Sequence, residues 1–163
     1  MPSSKQLAEG SIRYIGIPTL RVSNDELYET YANSLYDITS SLEEERLVFD
    51  FRGNGGGVLW PMLSGISPLL PDGTQAYFSY VSGEKRPIQL LDGKAFSNDA
   101  SFHKVKREKY LKTDRLQKVL VLVDEKTASS AEMLAAVLAS YPAFKLLGEP
   151  TAGFLTGVST YAL

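Results

Sequence analysis

An α/β layered fold is expected for this chain on three grounds. Two short apolar runs, residues 47–51 and 118–123, read as strands buried deep in a sheet. Each run gives way to a polar or glycine-rich loop and then to a helix-like segment. Strand and helix patterns alternate along the rest of the chain, with one hairpin inserted. The 163 residues fit a single domain, and an apolar content of 44% is enough to build its core.

Taken in order, residues 11–17 alternate and carry β-branched and aromatic side chains, so a strand is expected, ending at Pro18. Ser23 and Glu26 have the spacing of a capping box. From there Leu27, Tyr31, Leu35, Ile38 and Leu42 recur at helical spacing, giving one apolar stripe on a helix of about twenty residues. The acidic run 43–45 is expected to be its solvated end. After strand 47–51 the glycine-rich segment 52–57 breaks the pattern, and 58–70 reads as an apolar helix interrupted by Pro61. Residues 74–81 and 86–91 alternate around Ser82 and Gly83, as a hairpin would. The segment 92–117 is polar and irregular, and is expected to be a surface excursion with a short helix. Strand 118–123, helix 129–140 and strand 144–147 complete the chain, with no internal repeat.

Composition removes several functional classes. The formal net charge is only -2, which argues against nucleic acid as a bulk electrostatic partner. Without cysteine there is no disulfide, zinc-thiolate site or thiol nucleophile. No His, Asp or Glu cluster has ligand spacing, so neither a metal nor an organic cofactor is expected. No segment reaches the roughly 18–20 apolar residues of a membrane span. The polar opening, residues 1–10, has no apolar run, is neither a signal peptide nor an anchor, and is expected to be a cut end.

Three segments carry chemistry. Ser129 stands where a buried strand turns into an alanine-rich helix, beside the unpaired N–H groups of the helix start. That suits a nucleophile that must form and hold an oxyanion. The spacing Ser129 to Glu132 equally reads as an ordinary capping box. A serine that caps is not free to attack, unless Ser130 takes over the cap. The second segment, Asp50 to Gly57, puts four glycines just past a strand, where backbone N–H groups can face an anion. It lacks the third glycine of a dinucleotide fingerprint and the Lys of a phosphate loop, so a phosphate cradle is the minor reading beside a structural turn or, taken with the segments that follow, an oxyanion wall. The third, Gly148 to Gly153, is by itself only a loop.

In this order the three segments resemble the carboxyl-terminal processing (tail-specific) serine protease family. Asp50 to Gly57 matches its Asp-Leu-Arg-x-Asn-x-Gly-Gly loop, Thr127 to Glu132 its Thr-Ala-Ser-x-x-Glu motif, and Gly148 to Gly153 its Gly-Glu-x-Thr-x-Gly loop. The likeness runs from about residue 12 to 157, although 82–117 match nothing nameable. Thr-Ala-Ser-Ser-Ala-Glu-Met at 127–133, with Trp60, Pro61 and Met62 after the glycines, is most similar to the Gram-positive branch that includes the nisin resistance protein.

The resemblance implies a crotonase-like α/β core and a serine endopeptidase acting on peptide or protein tails held by strand addition. Ser129 would be the nucleophile, and the N–H groups of Gly56 and Ser130 the oxyanion hole. Gly55, Gly57, Thr151 and Gly153 would line the substrate site. An extracytoplasmic, secreted or anchored parent is implied as well. The likeness fails at the base: Phe154 stands where tail-specific proteases carry their lysine. The nisin-resistance branch uses an upstream histidine, and no histidine precedes Ser11. The single histidine, His103, lies in the unmatched excursion, and Lys126 and Lys145 are the lysines nearest in sequence. The chain is therefore expected to be a catalytic core trimmed at both ends and inactive alone. A peptide-binding module that has lost its base is the alternative, and a crotonase-type acyl-CoA enzyme explains none of the Thr-Ala-Ser wording.

Overall fold

The computed structural model describes residues 1–7, 11–21, 24–98, 100–105, 116 and 118–156, with the backbone alone for 100–104. The chain opens with β1 (Ser3–Leu7), which pairs antiparallel with β2 (Ile12–Gly16). No strand is read in the sequence at this end. Its side chains are nearly all exposed, so backbone pairing forms it and no apolar pattern announces it.

Helix α1 (Asp25–Ser40) follows, and Asn24 caps it, accepting from the N–H groups of Glu26 (2.9 Å) and Leu27 (3.3 Å). The expected cap, Ser23, lies outside the described residues. The stripe is largely as read: Tyr31 and Leu35 are buried and Leu27 and Ile38 pack at the edge of the core, while Leu42 is buried beyond the helix end. Burying a leucine such as Leu35 contributes about 1.5–3 kcal/mol. The acidic run is not simply solvated. The Glu44 side chain is almost fully covered and pairs with Arg13 at 2.6 Å.

Strand β3 (Arg46–Asp50) leads through the glycine loop into α2 (Leu59–Gly65) and a 3-10 turn, Ser67–Leu69. Pro61 does not break this helix. It occupies the first turn, where its missing N–H would have no intrahelical acceptor, and the α-helix ends at Gly65, ahead of the 3-10 turn that contains Pro68. Strands β4 (Gly73–Ser79) and β5 (Lys85–Leu91) form the expected hairpin. The supposed irregular excursion then adds β6 (Lys94–Ser97) and β7 (Ala100–Lys104) to the same sheet. Ala95 and Val105 are fully buried there, two apolar residues too few to be read against so polar a background. The short helix expected further on lies outside the described residues. Strand β8 (Lys118–Val123), helix α3 (Ser130–Ala139) and β9 (Phe144–Gly148) follow as read.

Two sheets result. One has the order β1-β2-β3-β8-β9, parallel except for β1, and the other is the antiparallel meander β4-β5-β6-β7. A single apolar core joins them: Ile15, Phe49 and Val121 of the first sheet pack in one cluster with Ile88, Leu90 and Ala95 of the second, through Leu35, Met62 and Leu134 of the helices. The α/β class expected from the sequence is therefore the class observed.

Candidate active site

Strands β3, β8 and β9 run parallel and end level, with Asp50 opposite Leu122 and Val123 opposite Gly148. The loops that leave them therefore emerge at one edge of the sheet, the place where open α/β sheets present their sites. The three sequence segments meet here because of strand direction.

The glycine loop is fastened first. Asp50 is held by Arg52 (Nη2–Oδ2 2.6 Å) and by the Tyr14 hydroxyl at 2.7 Å. Burial raises its pKa, but these hydrogen bonds outweigh burial and hold the carboxyl below the usual aspartate range. Asn54 is buried and ties four points together. Its N–H donates to the Phe51 carbonyl, its Nδ2 to the Ile17 carbonyl (2.7 Å), its own carbonyl receives Ala128 N–H (2.9 Å), and its Oδ1 receives Gly56 N–H (2.9 Å). Next to it Gly57 pairs in parallel with Leu20 so closely that a Cβ would fall inside the Leu20 carbonyl. Gly56, at φ +87°, abuts the nucleophile turn: a Cβ there would sit 2.7 Å from Ser129 Cβ and 3.1 Å from Ser130 N. Only glycine admits that approach.

On the other side, Thr127 is fully buried and donates to the Phe51 carbonyl at 3.0 Å, joining the β8 loop to the end of β3. Asp124 accepts Gly53 N–H at 2.9 Å, and this contact, ahead of those from Thr127 and Lys126, keeps its carboxyl below the usual range. Ser129 then takes φ 56° and ψ -123°, the sharp turn that ends the strand and opens α3. It is half-buried. Its side chain lies over the Glu132 N–H in the box arrangement, but no capping hydrogen bond of good geometry joins them. The box is carried from the other side, by the Glu132 carboxylate on Ser129 N–H at 2.7 Å. Ser130 does not take over the cap. Its hydroxyl donates to the Gly57 carbonyl at 2.5 Å, while its N–H is one of the helix-start donors that no intrahelical carbonyl can reach.

Ser129, Gly56 and Ser130 are thus brought together, on one side of the loop. The Gly56 N–H, however, already has Asn54 Oδ1 as acceptor, so an oxyanion would have to share or take it. The other four expected site residues have polar groups engaged inside the protein. Gly55 N–H donates to Thr19 Oγ1 (2.8 Å), and the Arg21 guanidinium covers Gly55. The Gly57 carbonyl receives Ser130, while the Thr151 hydroxyl and Gly153 N–H both point to Glu132 Oε1 at 2.7 Å.

Neither Lys126 nor Lys145 makes a hydrogen bond to Ser129, and both are exposed. The backbone of His103 lies on β7, at the edge of its sheet opposite β4, and its side chain lies outside the described residues. Among the described residues no group of His, Asp or Glu could hold a metal.

Two features of the site went unread in the sequence. One is Glu132, read as a helix cap and found gathering donors from two loops. The other is a cavity of about 850 Å³ between β4 and α3, with Ala76, Phe78 and Tyr80 on one wall, Met133 and Val137 on the other, and Leu155 at its rim. Met133, four residues after Ser129, is the lining residue of α3 nearest to it in sequence. β4 is an edge strand of its sheet.

The chain is similar to known proteins along nearly all of its length. It is 36% identical over 157 residues to the nisin-resistance protein of Lactococcus lactis subsp. lactis, covering 95% of this chain and 47% of that one. The structure of a lipoprotein from Streptococcus agalactiae superposes with a TM-score of 0.83 at 27% identity, over 99% of this chain and 54% of the other. The photosystem II D1 C-terminal processing protease shares the fold at a TM-score of 0.58 and 20% identity, over 94% of this chain and 37% of the other. The chain thus spans about half the length of the first two relatives. The model of peptidase family S41 matches residues 11–163, and the chain belongs to that family.

Proposed function

We propose that this chain is the catalytic core of a serine endopeptidase that cleaves peptides or proteins near their C-terminal tails. Ser129 Oγ attacks the scissile carbonyl carbon as a base takes its proton. The acyl-enzyme forms as that proton passes to the leaving amine, and water then releases the acyl group. The oxyanion is held by Ser130 N–H and by Gly56 N–H, the latter shared with Asn54 Oδ1. The base would come from outside residues 1–163, a reading supported by Phe154 at the lysine position and by Lys126 and Lys145, both exposed and neither hydrogen-bonded to Ser129.

Substrate would lie extended along β4, an edge strand among the described residues, with an apolar side chain in the cavity beside Met133. The nisin-resistance protein and the lipoprotein among its relatives support an extracytoplasmic or anchored parent. Among the described residues no helix is long and apolar enough to cross a membrane.

One observation carries the reading: the contact of Gly56 with Ser129 at the carboxyl ends of parallel strands, in a chain of a peptidase family. The test is a serine-directed phosphonate applied to the longer parent protein, followed by mass mapping. An adduct on Ser129, absent from Ser129→Ala, is expected. No adduct under conditions that label a control serine protease would overturn it, and tight peptide binding without an adduct would mark a binding module.

A further inference from the structure

Glu132 is buried, 5% exposed, and no step of the proposed reaction uses it. Its two oxygens divide four donors evenly. Oε2 accepts Ser129 N–H (2.7 Å) and Phe154 N–H (2.9 Å), and Oε1 accepts the Thr151 hydroxyl (2.7 Å) and Gly153 N–H (2.7 Å). Capping needs only the first of these. The other three come from the strap after β9, nineteen to twenty-two residues away.

Two consequences follow from this sharing. Ser129 sits at φ 56°, a turn that a residue with a Cβ holds only when its surroundings fix it, and the Glu132 contact to its N–H is one such restraint. The strap, in turn, carries Phe154 and Leu155, both more than half exposed, and Leu155 forms the rim of the cavity beside Met133. The Ser129 and Phe154 nitrogens share one oxygen, so they lie within about 5.6 Å of each other, the sum of the two bond lengths.

We infer that Glu132 is a positioning residue: its ionised carboxylate sets the attack geometry of Ser129 and, through the same atoms, fixes the strap that walls the substrate cavity. This rests on the peptidase reading for its catalytic half, while the shared hydrogen bonding stands apart from it. Glutamine keeps the shape of the side chain but replaces one acceptor oxygen with an NH₂, so either the Ser129 and Phe154 N–H groups or the Gly153 N–H lose their acceptor, and the four-donor arrangement is broken in both orientations.

The test has two arms. In NMR of this chain, the amide signals of Ser129, Gly153 and Phe154 should move together along one titration curve, with a midpoint below the ordinary glutamate range. Glu132→Gln should abolish that common curve. Separate titrations, or none, would overturn the inference even if the glutamine variant failed to fold. In the longer parent, Glu132→Gln should lower kcat on the order of 10²-fold, the cost of an ångström-scale misplacement. Ser129-dependent hydrolysis with kcat of that variant within about twofold of wild type would sink the inference and leave the peptidase reading intact. Absence of any Ser129-dependent hydrolysis in the wild-type parent would instead refute the peptidase reading.

Discussion

The strain at Ser129 predicts that two ways of removing its hydroxyl will differ in stability. At φ 56° and ψ -123° the residue occupies the first central position of a II′-like turn, which favours glycine. A residue with a Cβ held in such a region costs about 1–3 kcal/mol. The surroundings impose it: Ala128 N–H is tied to the Asn54 carbonyl, Ser129 N–H to Glu132, and the Ser129 carbonyl to Met133 N–H at 3.1 Å. Ser129→Ala deletes the hydroxyl and keeps the strain. Ser129→Gly deletes both, at a cost of about 0.4–1 kcal/mol in unfolded-chain entropy. Glycine is also the better residue at a helix N-cap than alanine. The glycine variant should therefore be more stable than the alanine variant by roughly 1 kcal/mol. For a domain of this size that is about 2–4 °C in Tm. Thermal unfolding and urea titration of the two proteins side by side decide it. A glycine variant no more stable than the alanine one would show that the turn stores no strain, and the account of the elbow would fall with it.

Three further outcomes are expected. Gly56→Ala would place a Cβ 2.6 Å from the Ala128 carbonyl oxygen and 2.7 Å from Ser129 Cβ. It should lower stability by about 1–3 kcal/mol in urea unfolding and slow phosphonate labelling of Ser129 in the parent. Thr127→Val should cost about 1–3 kcal/mol by leaving Asp124 N–H without its acceptor and the Phe51 carbonyl with Asn54 N–H as its remaining donor, whereas Thr127→Ser should recover most of it. Asp50 and Glu132 are both held below their unfolded pKa values. Their stabilisation is complete above about pH 5 and is lost as pH falls through the unfolded values near 4 and on through the folded ones. Urea midpoints measured from pH 7 down to pH 3 should fall accordingly, and Asp50→Asn should flatten part of that fall.

What the sequence determined by itself is the set of features written within a few neighbouring residues. The buried strands at 47–51 and 118–123, the stripe of α1 and the hairpin around Gly83 all follow from local periodicity or turn chemistry, which act over one or two turns of chain. The glycines at 56 and 57 were legible too, because so few residue types tolerate those backbone positions, and Ser129 was legible from its place between a buried strand and a helix. Tertiary structure alone decided how these pieces are used. Parallel strand direction brings three loops to one edge, Asn54 takes the Gly56 N–H, and Glu132 reaches a strap some twenty residues away. Strands β1, β6 and β7 likewise form by backbone pairing that leaves little trace in side-chain pattern. Hydrogen bonds between distant backbone groups are available to almost any residue, so which of them form is settled only when the chain packs.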